Sequence, residues 1–296
     1  MKVLVAGGTG TIGRPLMRQL EEAGHDAVAA SRSAPLAMDA LAAESVRSAV
    51  ATAEPEVIVN QLTAIPDPID VRKMQQQFAT TNRLRREGTG HLMAAAAEHG
   101  VRRVISQSIA FAYASTGGGA WTEEDALFTE AGDIFAAVES LERQTLGSDQ
   151  VEGVVLRYGF FYGPGTTYAP GGGTAEAVRK RQFPIVGKGT GAFPFIHVED
   201  AASATVAALD SGAPGTYNVV DDDPAPLRDH LPALADALGA KRPLRVPKLV
   251  ARLAAGSMAV RYATELQPVS NEKAKRELGW QPRYPSWRQG FREVLG

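Results

Sequence analysis

Along the first half of the chain, short apolar runs alternate with stretches whose apolar residues recur every three to four positions. Lys2 to Ala6 (KVLVA) reads as a buried strand, and Thr11 to Ala23 as a helix with Leu16, Leu20 and Ala23 on one face. Strands follow at Asp26 to Ala30, Val57 to Asn60, Val101 to Ser106 and Val151 to Tyr158, with helices over Arg83 to Glu98 and Ile134 to Leu146. Strand, helix, strand at this spacing calls for right-handed crossovers and a parallel sheet. The expected fold class is α/β, a doubly wound parallel sheet.

Beyond Gly163 the composition shifts to PGTTYAPGGG, and helical patterns dominate at Thr174 to Arg181, Val198 to Leu209, Leu227 to Leu238 and Val246 to Ala259. A strand near residues 215–220 returns to the main sheet. The division expected is a dinucleotide-binding Rossmann domain over 1–165, interleaved with a smaller, mostly helical substrate lobe over 166–296. The glycine triplets Gly117 to Gly119 and Gly171 to Gly173 each follow a strand and read either as plain surface loops or as lids.

The first strand runs into GGTGTIG. Gly7, Gly10 and Gly13, with Thr11 and Ile12 between them, open a helix directly after a strand. One glycine makes the tight turn, the next admits a pyrophosphate to the backbone at the positive helix terminus, and the last lets helix pack on strand. After the second strand stand Ser31, Arg32 and Ser33 with no acid, a set that suits a 2′-phosphate better than a bare ribose. NADP (NADPH) is the expected cofactor, with NAD less favoured; Arg32 as an ordinary solvated arginine is the competing reading.

Composition removes other chemistries. With 31 basic and 33 acidic residues the net charge is −2, which gives no electrostatic reason to bind nucleic acid or an anionic membrane. No cysteine is present, so disulfides and thiolate chemistry are excluded, and the five histidines show no metal-ligand spacing. No window reaches the roughly 18 apolar residues of a membrane span. The expected partner is a small-molecule substrate, the expected location the cytoplasm, and the expected state a monomer or homodimer.

These landmarks resemble the short-chain dehydrogenase/reductase superfamily, in its extended epimerase/dehydratase-like branch. GGTGTIG, EGTGHLMAAAAEHGVRRVISQS, TEEDAL, LRYGFFYGPGT, FIHVED, GTYNVVDD and KAKRELGWQPRYPSW occur in that family's order. The resemblance implies that Asp39 contacts adenine, and it makes His197 within FIHVED a structural hydrogen-bonder. It also exposes departures. The family's catalytic tyrosine and the lysine four residues later fall at Ile134 and Val138, counting back from Glu142, and no tyrosine in the chain has a lysine four residues on. Phe193 and Pro194 stand where UDP-sugar enzymes of the family carry an arginine and an aspartate, so a nucleotide-sugar substrate is disfavoured. Nearby Phe111, Phe160, Phe161 and Trp121 suggest a less polar, aromatic ligand, although aromatic residues near strand ends more often belong to the core.

Candidates to replace the dyad lie at strand ends: Ser108 as a hydroxyl near the substrate and Tyr113, on a flexible loop, as a proton donor. Gln61, Thr63, Tyr158 and Tyr162 are nearby, with Gln61 and Tyr158 expected at the cofactor. Glu139 and Glu142 share a helix face that reads as solvated, or as a source of one buried acid. Asp221 to Asp223 reads as a strand exit and helix cap. The expected function is an NADPH-dependent oxidoreductase with a non-standard active site, acting on a small aromatic or polyketide-like molecule. Its rivals are a non-redox isomerase, dehydratase or cyclase, and a non-enzymatic NAD(P) sensor resembling NmrA-like regulators.

Overall fold

The computed structural model describes residues 1–70, 72–114, 118–128 and 132–295. Six strands come first in the chain: β1 (Lys2–Ala6), β2 (Asp26–Ser31), β3 (Leu36–Ala37), β4 (Val57–Asn60), β5 (Arg103–Ile109) and β6 (Glu152–Tyr158). With the later strand Gly215–Val219 they form one seven-stranded sheet, in the order Gly215–Val219, β6, β5, β4, β1, β2, β3. All six pairings are parallel. The direction of winding reverses between β1 and β4, which opens a crevice at their carboxyl ends, beside the glycine turn.

Helices cover both faces. Helix α1 (Gly13–Glu22) and Val198–Ala207 bury Leu16, Leu20, Ala201 and Ala204 against Val3, Val5, Val57 and Val59. On the other face α2 (Ala43–Ala53) and the helix Thr89–Glu98 bury Val46, Val50 and Leu92 against Leu4, Ile58 and Val104. The alternation of odd and even positions along β1 and β4 is thus the two faces of a fully covered sheet. A third core, around Phe195, Leu231, Trp287 and Phe291, joins the later helices to the carboxyl end of the sheet.

Several elements differ from the periodicity. The helix expected over Arg83 to Glu98 begins earlier, as α3 (Met74–Arg83), passes through a π-helical turn at Leu84–Gly88, and continues as α4 (Thr89–Glu98). The polar run QQQFATTN hides α3, because Phe78 is its only large apolar residue. Strand β5 ends at Ile109 rather than Ser106, since Gln107, Ser108 and Ile109 keep pairing with β6 despite the polarity of Gln107 and Ser108. Helix α5 (Asp133–Leu146) matches its pattern within one residue. The helix expected over Val246 to Ala259 is Lys248–Glu265, broken at Gly256, where φ is 86°.

Gly117 lies outside the described residues. The other triplet is anchored: the Gly173 amide, which opens the helix Gly173–Arg179, donates to Asp67 Oδ1 at 2.9 Å. Among the described residues no helix is long and apolar enough to cross a membrane.

Candidate cofactor and substrate site

The three glycines of the turn meet three different constraints. Gly7 has φ +88°, and a Cβ there would lie 2.8 Å from the Gln61 carbonyl oxygen, so the turn can pass the end of β4 only with glycine. A Cβ on Gly13 would run into the Gly7 carbonyl and the Gly8 backbone, which makes Gly13 the close-packing residue of helix on strand. Gly10 is exposed, and a Cβ there would touch only the Gly7 oxygen, at 3.2 Å. Its bare backbone faces the crevice, the geometry needed for a pyrophosphate to approach. Ile12 turns into the core.

Flanking side chains close around this turn. Thr9 Oγ1 reaches Ser31 Oγ at 3.5 Å, and Thr11 Oγ1 donates to the Gly165 carbonyl at 3.4 Å. Ser31 Oγ accepts from the Ser33 amide at 3.3 Å, which curls the chain and leaves Arg32 exposed beside the turn. Asp39 is exposed at the rim; its Oδ1 accepts from the Leu41 amide at 3.0 Å just before α2. At the end of β4, Gln61 is buried and donates through Nε2 to Tyr158 Oη at 3.3 Å, while its Oε1 has no partner. Tyr158 Oη also pairs with Thr205 Oγ1 at 2.6 Å, and burial pushes its phenol up to about 12. Tyr158 therefore holds Gln61 from inside the core. A nicotinamide dinucleotide fits this set: an open glycine backbone, a guanidinium at the rim and a buried amide oxygen lacking a donor.

Ser108 and Tyr113 fall in one place, but not as free hydroxyls. Ser108 Oγ donates to Glu142 Oε1 at 2.6 Å. Arg157 grips Glu142 through Nε at 2.9 Å and Nη2 at 2.6 Å, and its Nη1 donates to Tyr113 Oη at 2.8 Å. Tyr113 in turn donates to Asn218 Oδ1 at 2.6 Å. Tyr113, expected on a flexible loop, is 0% exposed, and Ser108 is 2% exposed. Burial raises the Tyr113 phenol to about 12 against the lowering pull of Arg157. Burial alone would lower the Arg157 guanidinium, but its hydrogen bonds and attraction to Glu142 raise it instead.

The glutamates also divide: Glu139 is exposed and Glu142 is 5% exposed, so a single solvated face does not hold both. Arg157 and Asn218 escaped the sequence reading, although an arginine inside the apolar run VVLRY is a visible anomaly. Asp221 to Asp223 does not cap the next helix, whose first residue follows Pro226 with no side-chain cap. Asp222 instead meets Lys275 at 2.7 Å, and Asp223 accepts from Ser286 at 2.6 Å. His197 Nδ1 accepts from the Glu199 amide at 3.2 Å, and burial lowers the ring to about 4.

The face of α5 that carries Ile134 and Val138 is apolar, packed with Ala112 and Phe135. Lys73 and Lys180 are both exposed. Next to this cluster is an aromatic wall. The half-buried rings of Phe111 and Phe160 stack at 4.0 Å, and Tyr262 meets both edge-on at 5.9 and 6.1 Å. Phe193 packs on Phe160 at 5.0 Å. Trp121, by contrast, is core, against Tyr113. Among the described residues no group of three His, Asp or Glu side chains could hold a metal.

A doubly wound parallel sheet with an open glycine turn at its switch point defines a Rossmann-type dinucleotide-binding protein. The model of the NAD dependent epimerase/dehydratase family matches residues 3–220. The chain belongs to that family, and so to the enzymes that work with a nicotinamide dinucleotide. It is 44% identical over 308 residues to a Streptomyces protein named 3-diazoavenalumate denitrifying reductase, covering 98% of this chain and 99% of that one. Among solved structures it is similar to UDP-glucose 4-epimerase of Thermotoga maritima with UDP-glucose, at a TM-score of 0.80 and 18% identity, covering 100% of this chain and 97% of that one. It is also similar to human epimerase family protein SDR39U1 (isoform 2) with NADPH, at a TM-score of 0.77 and 22% identity, covering 100% and 99%.

Proposed function

We propose that this protein is an NADPH-dependent reductase of an aromatic diazo compound, replacing the carbon–nitrogen bond with carbon–hydrogen and releasing dinitrogen. The observation that carries the reading is the state of the proton donors. Ile134 and Val138 are packed in an apolar cluster, and the hydroxyls of Ser108 and Tyr113 are committed to Glu142 and Asn218. A carbonyl reduced by hydride becomes an alkoxide and needs an acid beside it. An aryl diazonium does not, because it is already a cation.

Gly7, Gly10, Gly13, Gln61 and the Ser31–Ser33 curl would hold the dinucleotide, with Arg32 on a 2′-phosphate. Bound there, the nicotinamide supplies hydride. The balance is ArN2⁺ plus hydride giving ArH plus N2: two electrons enter, the carbon–nitrogen bond breaks, and the hydrogen ends on the ring carbon. The protein's part is to bind and orient the ring along Phe111, Phe160 and Tyr262 and to exclude water. In this reading Ser108 and Tyr113 are positioning residues that fix the end of β5. The name of the Streptomyces relative supports the diazo group. The apolar α5 face disfavours the isomerase and dehydratase readings, which need a base. The half-exposed aromatic wall disfavours a sensor with a filled pocket.

The test is to incubate the enzyme with NADPH and a diazo derivative of para-hydroxycinnamate, following NADPH oxidation and dinitrogen release. Cofactor deuterated at its hydride position should yield ring-deuterated product. Reduction of simple ketones without turnover of the diazo compound would refute the proposal.

A further inference from the structure

Three arginines crowd the run Arg83-Leu84-Arg85-Arg86 at the junction of α3 and α4, and their fates differ. Arg83 pairs with Glu87 at 2.8 Å, and Arg86 with Asp133 at 2.5 Å, both at the surface. Arg85 points inward and is 5% exposed. No hydrogen bond or ion pair to it occurs among the described residues, and its Nη1 is buried without a partner. An unpaired guanidinium in the interior is strongly unfavourable, so a fold that keeps one has a use for it. The local backbone is also unusual: Arg85 sits in the π-helical turn Leu84–Gly88, a feature concentrated at functional sites.

What Arg85 faces indicates the use. Its electrostatic neighbour is the phenol of Tyr262, and burial lowers Arg85 to about 10, with no acid among the described residues to offset the desolvation. Tyr262 is the ring that lies edge-on to both Phe111 and Phe160. On the far side, Arg261 donates through Nη2 to the Tyr113 carbonyl at 2.5 Å and rests 4.0 Å above the Phe128 ring, with its own Nη1 buried and unpartnered. The aromatic wall therefore ends at Arg85, in a guanidinium that no carboxylate among the described residues pairs.

We propose that Arg85 binds the carboxylate of the substrate, so that this site takes aromatic acids and orients them by a charged end and a stacked ring. The proposal rests on the aromatic-substrate reading above. The two fixed points, guanidinium at one end and Phe111–Phe160 at the other, would set which ring atom faces the cofactor. A guanidinium presents paired donors matched to the two oxygens of a carboxylate.

The experiment titrates para-hydroxycinnamate and its methyl ester into the enzyme loaded with NADP⁺, which cannot react. Wild type should bind the acid at least tenfold more tightly than the ester. Arg85→Met should weaken the acid by about tenfold to a hundredfold, the range of a hydrogen bond to a charged group. It should leave the ester and NADP⁺ within about twofold, and Arg85→Lys should recover part of the loss. Without ligand, Arg85→Met should melt no lower than wild type, because the change removes an unpaired buried charge; a structural arginine would melt lower. Equal binding of acid and ester, or a loss of NADP⁺ affinity in Arg85→Met, would overturn the proposal. If the acid binds through Arg85 but no diazo compound is reduced, the anchor stands and the reductase reading falls. If the diazo derivatives of the acid and of its methyl ester are reduced alike and Arg85→Met leaves KM unchanged, the anchor falls and the reductase reading stands.

Discussion

Replacing Arg157 with methionine tests the network that commits Ser108 and Tyr113. The Arg157 and Glu142 side chains are 7% and 6% exposed, and their closest contact is 2.6 Å. Arg157→Met leaves the Glu142 carboxylate in the interior with Ser108 as its remaining donor, and it removes the hydrogen bond that Tyr113 Oη accepts. Breaking one side of such a pair costs about 3–5 kcal/mol, most of it the burial of the remaining charge. For a chain of 296 residues, at about 2.1 cal/mol/K of unfolding entropy per residue, that is a fall in Tm of roughly 5–8 °C. Arg157→Met with Glu142→Leu removes both charges and leaves only hydroxyl groups short of partners, a cost of about 1–3 kcal/mol. The double variant should therefore be the more stable of the two. Urea unfolding followed by circular dichroism measures both, and NADPH fluorescence reports whether the glycine turn survives. A single variant within about 1 kcal/mol of wild type, or a double variant no better than the single, would refute the view that a buried charge pair organises this part of the site.

Gly10→Val should abolish NADPH binding while leaving the unliganded melting temperature nearly unchanged, because its Cβ meets only one protein atom. Gly13→Ala should instead lower stability by about 1–3 kcal/mol through forced overlap with the Gly7 carbonyl. Arg32→Ala should reduce the preference for NADPH over NADH by at least several-fold in calorimetry, by loss of a charge-assisted contact to the 2′-phosphate; an unchanged ratio would remove Arg32 from the site. Burial lowers His230 from 6.5 to about 4, so the folded ring stays neutral where the unfolded one protonates. Its contribution to stability is complete above pH 6.5 and declines as pH falls toward 4, by about 1 kcal/mol per pH unit. Denaturant titrations should show that slope weakened in His230→Gln. Asp200 and Asp221, raised by burial, act in the opposite sense in both proteins and cancel in the comparison.

Those parts of the fold set by local pattern could be read directly. Lys2–Ala6 and Val57–Asn60 stand at the bounds read from the sequence, since a strand buried on both faces shows an unbroken apolar stretch, here residues 3–6 and 57–59, with the polar residues Lys2 and Asn60 only at its ends. The glycine turn was legible because each glycine answers a backbone constraint a few residues away. Inward-facing charge was legible only by half. Arg85 follows Thr81 by four residues and precedes Gly88, Thr89 and Leu92 by three, four and seven, so it belongs to the inward row of the helix pair. Arg157 stands in the buried strand VVLRY. Both arginines stand as charges at core positions and neither was singled out from the sequence, because nothing local says whether an acid from a distant element comes to meet them. Glu142 comes to Arg157 from α5, and among the described residues no acid comes to Arg85. The first pair neutralises itself and can only organise the structure around it. The second leaves a charge whose counterion must arrive from outside, and so the two arginines, equivalent in sequence, differ as scaffold and binding site.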